Sequence, residues 1–213
     1  MNWDFVYRME DVLDLYAEPY DPRRPVVCFD ERPVQLVGET RMPIAPVPGR
    51  RERFDYEYRR CGTANLYLIL EPLGGWRKVT VTEQRTNVEF AHQMRELVDR
   101  HFPEAEGIRV VLDNLSSHSG AAIYQTFPAE EARRILRKLE FHYTPKHGSW
   151  LNMAEIEFSV MSRQCLDGRI PSRARLRSIL SPWEKRRNRE GATVTWRFTV
   201  TKARAKLHRL YAS

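Results

Sequence analysis

Ile108-Arg109-Val110-Val111-Leu112-Asp113 is a short apolar run, rich in β-branched residues, that stops on an acid. A run of this length and composition reads as a buried strand rather than a helix. Pro25-Val26-Val27-Cys28-Phe29-Asp30-Glu31 has the same form earlier in the chain and also ends in acid. Between them, Ala64–Glu71 and Trp76–Val81 are strand-like, and Pro72-Leu73-Gly74-Gly75 joins them as a hairpin. After them come a helical pattern over Pro128–Leu139, with Ala132, Ile135, Leu136 and Leu139 on one face, and a short strand at Phe141–Tyr143. Strands that alternate with helices after an antiparallel start predict an α/β fold, a mixed sheet covered by helices. In such sheets ligands gather at the carboxyl ends of the strands, where Asp30 and Asp113 fall.

The flanking segments extend this frame. Phe5, Met9, Val12, Leu13 and Tyr16 recur at helical spacing until Pro19 and Pro22 end the run. Residues 32–60 hold Pro33, Pro43, Pro46 and Pro48, plus five arginines from Arg50 to Arg60, and read as a long irregular insertion because proline blocks strand pairing. Thr86-Asn87-Val88-Glu89 is a capping box, followed by Val88, Ala91, Met94, Leu97 and Val98 at helical spacing as far as Pro103. Pro145–Trp150 is a turn, and Met153–Leu166 a helix that Asn152 can cap. A further helix is expected from about Ser172, kinked at Pro182, and a last short one after Thr201. The expected organisation is a helical lead-in over 1–22, a catalytic domain over 23–170 and a basic helical segment over 171–213 packed on the same domain.

The chain has 213 residues, with 35 Lys and Arg against 28 Asp and Glu, a formal charge of +7. That excess is not spread evenly. Ser172–Ser213 carries 12 basic residues against Glu184 and Glu190, or +10, which leaves −3 for the rest. A hydrophobic share of 42% supports a real core and excludes a disordered chain. No apolar run approaches the roughly 20 residues of a membrane helix. The early acids Asp4, Glu10, Asp11, Asp14 and Glu18 do not fit a signal peptide. Cys28, Cys61 and Cys165 are odd in number and far apart, as in a reducing compartment. No membrane partner and a cytoplasmic location are expected.

Asp30, Asp113 and Glu155 are the candidate site. Three carboxylates in one cleft repel one another and call for cations, and an all-oxygen donor set suits Mg²⁺ or Mn²⁺. Two such ions about 4 Å apart are the means by which phosphodiester bonds are commonly cut. The competing reading makes each acid an ordinary turn former or helix cap. Each strand-end acid is followed by a second polar group, Glu31 or Asn114, and His118 stands near Asp113 with no following helix to explain it.

Phe29-Asp30-Glu31, then Val111-Leu-Asp-Asn-Leu-Ser-Ser-His118, then Tyr143-Thr-Pro-Lys-His-Gly-Ser-Trp-Leu-Asn-Met-Ala-Glu155 resemble DDE transposases, most closely the bacterial mariner-like insertion sequence six-thirty family. The resemblance runs from about Tyr20 to the C-terminus and includes Arg60-Cys-Gly-Thr63 and Trp196-Arg-Phe-Thr199. It implies an RNase H-like fold with a mixed five-stranded sheet, and Asp30, Asp113 and Glu155 as catalytic metal ligands. It also implies Mg²⁺- or Mn²⁺-dependent cutting at transposon ends, strand transfer into target DNA, a nucleoid-associated bacterial setting and a possible homodimer. The first acid stands at residue 30, which leaves no room before it for the family's helix-turn-helix modules, so a separate helix-turn-helix half is a possible partner. The 42 positions from Asp113 to Glu155 are wider than expected of mariner relatives, and the helix around Pro128–Leu139 could account for the excess. A non-catalytic DNA-binding or regulatory remnant, and a nuclease acting on another nucleic acid, are the alternatives.

Among neighbouring acids, Glu155 and Glu157 lie 200° apart on a helix, so only one can face the ions. Glu155 is nearer the positive helix N-terminus, and Glu157 reads as peripheral. Asp30 and Glu31 point to opposite faces of their strand, which leaves Glu31 as a fourth ligand or a salt-bridged acid. Asn114 orients Asp113, touches a phosphate or merely completes a turn. His118, Lys146 and His147 are candidates for contact with DNA, with a structural role the alternative for the histidines. Trp150 reads as a core anchor of the turn that presents Glu155. In the tail, Arg173, Arg175, Arg177, Lys185, Arg186, Arg187 and Arg189 are candidate phosphate contacts, with a solvated helix face as the alternative.

Overall fold

The computed structural model describes residues 3–41, 49 and 56–211. Helix α1 (Trp3–Ala17) leads into β1 (Val26–Glu39), β2 (Tyr58–Glu71) and β3 (Trp76–Thr82). Helix α2 (Asn87–Glu96) continues as one wider turn over Leu97–His101 before β4 (Ile108–Leu112). Then come α3 (Gly120–Thr126), α4 (Ala129–Leu136), β5 (Leu139–Tyr143), a 3₁₀ turn (Ser149–Leu151), α5 (Met153–Cys165), α6 (Arg173–Arg189) and α7 (Val200–Lys206). The strands form one sheet in the order β3-β2-β1-β4-β5, with β4 and β5 parallel to β1 and the β1–β2–β3 pairs antiparallel. This is the mixed five-stranded α/β sheet of an RNase H-like fold.

Strand alternation divides the core into two layers. Cys28, Leu66, Leu68, Leu70 and Val111 face Leu13 of α1, Phe158 of α5 and Trp183 of α6. Val27, Phe29, Tyr67, Ile69, Val110 and Leu112 face Phe90 and Met94 of α2, Ile123 of α3 and Ile135 of α4. Asp30 therefore belongs to the α5 face and Glu31 to the α2 face. The capping box forms as read: the Thr86 hydroxyl accepts from Val88 N–H, and Glu89 accepts from Thr86 N–H at 3.0 Å.

The insertion read over 32–60 is shorter than expected. β1 runs on through Pro33 to Glu39, and β2 begins at Tyr58. β4 pairs only with Val26–Cys28, so the later half of β1 has one free edge, where a proline is tolerated. Val37 N–H on β1 donates to the Ile170 carbonyl at 2.9 Å. The segments 42–48 and 50–55 lie outside the described residues. α4 forms within the helix read over Pro128–Leu139 but stops at Leu136, since Leu139 begins β5, and a helix that was not read, α3, precedes it and follows His118. The spacing missed α3 because its seven residues bury only Ala122 and Ile123. α6 is continuous through Pro182, which forgoes only one helical donor.

The basic segment has a structural task that charge did not reveal. β3 is an edge strand, and α6 covers it with side chains. Asn188 accepts from Arg77 N–H and donates to the Arg77 carbonyl, both at 2.8 Å, as a neighbouring strand would. Glu184 accepts from Val79 N–H at 2.6 Å, and Arg177 donates to the Val81 carbonyl at 2.9 Å. Alternate residues of the edge are thereby satisfied, which removes a template for unwanted strand addition.

Candidate active site

The parallel register builds the site. Cys28 on β1 lies opposite Val111 on β4. Two residues further along each strand stand Asp30 and Asp113, so both acids leave the sheet at the same level, on neighbouring strands about 4.8 Å apart. The chain then returns through β5, where Thr144 N–H donates to the Leu112 carbonyl at 2.9 Å. Asn152 completes the approach. Its amide donates to the Phe29 carbonyl at 2.8 Å, while its oxygen accepts from Ala154 N–H at 3.1 Å. One buried side chain thus caps α5 and pins its N-terminus beside Asp30, with Glu155 in the first turn. The preceding turn is tight: His147 adopts φ 65°, and a Cβ on Gly148 would fall 2.6 Å from Pro145 Cγ.

Asp30 is 8% exposed and its Oδ1 accepts from Glu31 N–H at 2.8 Å. Burial pushes its carboxyl up to about 7, and the Glu155 and Asp113 carboxylates add to the rise against the Glu31 N–H. The three acids therefore share one electrostatic field. Among the described residues no three His, Cys, Asp or Glu side chains form a ready-made metal cluster. The donor set still fits a hard divalent cation: three carboxylates, one of them buried where its charge is opposed. Arg32, which sequence reading passed over, projects its Nη2 to 3.8 Å from Glu155 Oε2 and donates from Nη1 to Ser162 Oγ at 2.9 Å. Its placement beside the acid strand could have been read from position 32, two residues after Asp30.

Glu157 does not face these acids and is not peripheral. Its side chain is fully buried, with Arg77 Nε at 3.1 Å and a two-pronged Arg187 contact at 2.9 and 2.8 Å. Arg77 is equally buried and also donates to the Gly75 and Arg187 carbonyls at 2.9 and 2.8 Å, and to the Ala192 carbonyl. Arg187, read from sequence as a phosphate contact, is committed to this network.

His118 is likewise corrected as a DNA contact. It is 1% exposed, enclosed by Phe29 and Phe90. Its Nδ1–H donates to Asp113 Oδ1, and its Nε2 stands 3.6 Å from Glu31 Oε2. Burial opposes the charged ring, but the Asp113 and Glu31 carboxylates outweigh it and raise His118 to about 9. Trp150 is not a core anchor: it is 44% exposed and lies against Trp196 and Phe198, with ring centroids at 6.4 and 5.8 Å. Asn114, Lys146 and His147 are exposed around the acids' strand ends and turn. In the tail, Arg173 pairs with Glu83 at 3.1 Å, Arg177 serves the β3 edge, and Arg186 donates to Gln164 at 3.0 Å. Lys185 is exposed and makes no ion pair among the described residues.

The family described as DDE superfamily endonuclease matches residues 25–177. No curated protein matches the sequence. Among solved structures, a Mos1 transposase paired-end complex with the left transposon end is similar, at 17% identity and a TM-score of 0.58, over 90% of this chain and 59% of that one. A Mos1 mariner paired-end complex with Mn matches at 16% and 0.57, over 90% and 59%. A Mos1 strand transfer complex matches at 15% and 0.59, over 90% and 58%. At these identities the likeness is one of fold, and the chain spans less than two thirds of the Mos1 chains.

Proposed function

The chain belongs to the DDE superfamily endonucleases, and we propose that it is a transposase catalytic domain that cuts DNA at transposon ends and transfers the freed strand into target DNA. The observation that carries this reading is the register that sets Asp30 and Asp113 side by side on parallel strands while Asn152 pins the Glu155 helix against β1. Asp30, Asp113 and Glu155 would hold Mg²⁺ or Mn²⁺, with two ions the expected number. When bound, such ions supply an activated nucleophile and stabilise the leaving oxygen in phosphodiester chemistry.

The chain's own residues do the rest. Asp30, buried and fixed by Glu31 N–H, gives the site a rigid wall. Glu155 joins from the first turn of α5, where the helix dipole favours its charge. Arg32 balances Glu155 and offers a cation to a phosphate at the rim. Lys146, His147 and Asn114 lie at the same strand ends and turn and are the proposed DNA contacts, with Lys185, Arg186 and Arg173 contributing from α6. DNA is the partner this reading requires. Pairing of two copies on paired ends, and a helix-turn-helix half supplied separately, belong to the same proposal. The insertion sequence six-thirty grouping and a cytoplasmic, nucleoid-associated setting are also proposed; among the described residues no helix is long and apolar enough to cross a membrane.

The test is to incubate the chain with end-bearing duplex DNA and Mn²⁺. Cleavage is expected from the parent and not from Asp113→Asn. Equal cleavage by both overturns the assignment. Preference for an RNA–DNA hybrid over duplex DNA points to the other nuclease class, and salt-sensitive binding without cleavage points to a DNA-binding remnant.

A further inference from the structure

We propose that Glu31, His118 and Arg85 form a positioning relay that fixes Asp113 for metal binding, an inference that rests on reading Asp30, Asp113 and Glu155 as the metal ligands. The relay crosses the sheet. Asp113 leaves β4 with its side chain one-third exposed at the site. Its Oδ1 is taken by His118 Nδ1–H, which leaves Oδ2 as the oxygen available to a cation. Behind the imidazole, Glu31 Oε2 lies 3.6 Å from Nε2, and Arg85 Nη1 lies 3.1 Å from Glu31 Oε1.

Each link is held in place. The His118 ring meets Phe29 edge-on at 5.3 Å and Phe90 at 4.9 Å. Its carbonyl accepts from Tyr143 Oη at 2.9 Å, and its N–H donates to the Leu115 carbonyl at 3.0 Å. The imidazole therefore has little freedom to turn. The Glu31 side chain is only 2% exposed, and its carboxylate faces two cationic groups, Arg85 Nη1 at 3.1 Å and His118 Nε2 at 3.6 Å. Burying a carboxylate is costly even when it is paired, and an apolar residue of similar volume avoids that cost. A buried ion pair is therefore weak evidence of a role in stability alone. The site does gain something: a carboxylate–imidazole–carboxylate line that sets which nitrogen faces Asp113 and holds the ligand at a fixed angle. Partners of this kind behind a ligating carboxylate typically change metal affinity by about 10–100-fold when removed. The alternation along β1 supports the division of labour, with Asp30 directed to the cation face and Glu31 to the supporting face.

The experiment is Mn²⁺ titration of the metal-free full chain, followed by calorimetry or electron paramagnetic resonance, with thermal unfolding of the metal-free protein in parallel. The variants are Asp113→Asn, His118→Leu, His118→Asn and Glu31→Gln. His118→Leu is expected to weaken Mn²⁺ by about 10–100-fold. His118→Asn keeps an N–H near the Nδ1 position and is expected to recover most of that loss. Glu31→Gln is expected to weaken Mn²⁺ several-fold, a loss larger than any fall in its melting temperature accounts for. A merely structural histidine predicts instead that affinity falls only in step with melting temperature and that Asn rescues nothing; either result overturns the relay. Should His118→Leu fail to fold, Glu31→Gln decides: parental affinity there overturns the proposal. If Asp113→Asn abolishes Mn²⁺ binding and His118→Leu does not, the relay alone fails. If Asp113→Asn binds Mn²⁺ like the parent, the metal-ligand reading fails first and the relay with it.

Discussion

Glu155 and Glu157 stand two residues apart on α5, and exchanging each for glutamine separates catalysis from stability. Glu157 is fully buried between Arg77 and Arg187. Its removal leaves the buried Arg77 guanidinium without a counter-charge, although three carbonyls still accept from it. Breaking a buried pair on one side costs about 3–5 kcal/mol. For a chain of this size each kcal/mol shifts the melting point by about 2–4 °C, so Glu157→Gln should lose on the order of 10 °C. Glu155 is 40% exposed, and its nearest cation is Arg32 at 3.8 Å. A pair of that kind contributes at most about 1 kcal/mol, so Glu155→Gln should melt within about 3 °C of the parent. Far-UV circular dichroism on heating gives both shifts, and a labelled-DNA nicking assay at 20 °C below each midpoint gives activity. Glu155→Gln should be stable and inactive, Glu157→Gln less stable and active. A Glu157→Gln protein that melts with the parent, or a Glu155→Gln protein that cuts, would refute the assignment of the two faces.

Saturating Mn²⁺ at about 100 times its dissociation constant should stabilise the parent by about 2.7 kcal/mol, an effect reversed by chelation and absent from Asp113→Asn; an equal shift in both in a thermal scan would place the ion elsewhere. Glu71 is buried, and burial holds its carboxyl above the ordinary 4.5 despite the Tyr20 hydroxyl that donates to it at 3.1 Å. Its contribution is therefore fullest below about pH 4.5 and is lost as pH rises through the folded value, so Glu71→Gln should melt above the parent at pH 8, with the gap closing by pH 4. Asn188→Ala removes both bonds to the Arg77 backbone, which should cost about 2 kcal/mol in urea unfolding and increase light scattering as the β3 edge is bared; unchanged values on both counts would show that α6 covers the edge without it.

Much of the frame was legible because it depends on local pattern. The apolar runs at Val26–Phe29 and Ile108–Leu112 could only be buried strands, and Thr86 with Glu89 could only open a helix. The α5 face was legible through helical geometry: once Glu155 and Glu157 are 200° apart, one of them must turn away. The destination of Glu157 was not legible, because its partners lie 80 and 30 residues from it, on β3 and α6. His118 looked like a lone polar residue because its neighbours Phe29, Phe90 and Glu31 arrive from other elements. The positive charge of the tail suggested DNA, yet Arg177 and Arg187 are spent on carbonyl and carboxylate groups within the fold.

By itself, then, the sequence determined most of the strands and helices, though not α3 or the far half of β1, and which acids sit at strand ends, since these follow from side-chain period and backbone preference within a few residues. Tertiary structure decided which polar groups meet: the register that pairs Asp30 with Asp113, the imidazole that holds Asp113 from behind, and the helix that closes the sheet edge. Those outcomes depend on long-range register and on the cost of burying charge without a partner, and neither quantity is defined until the strands are side by side.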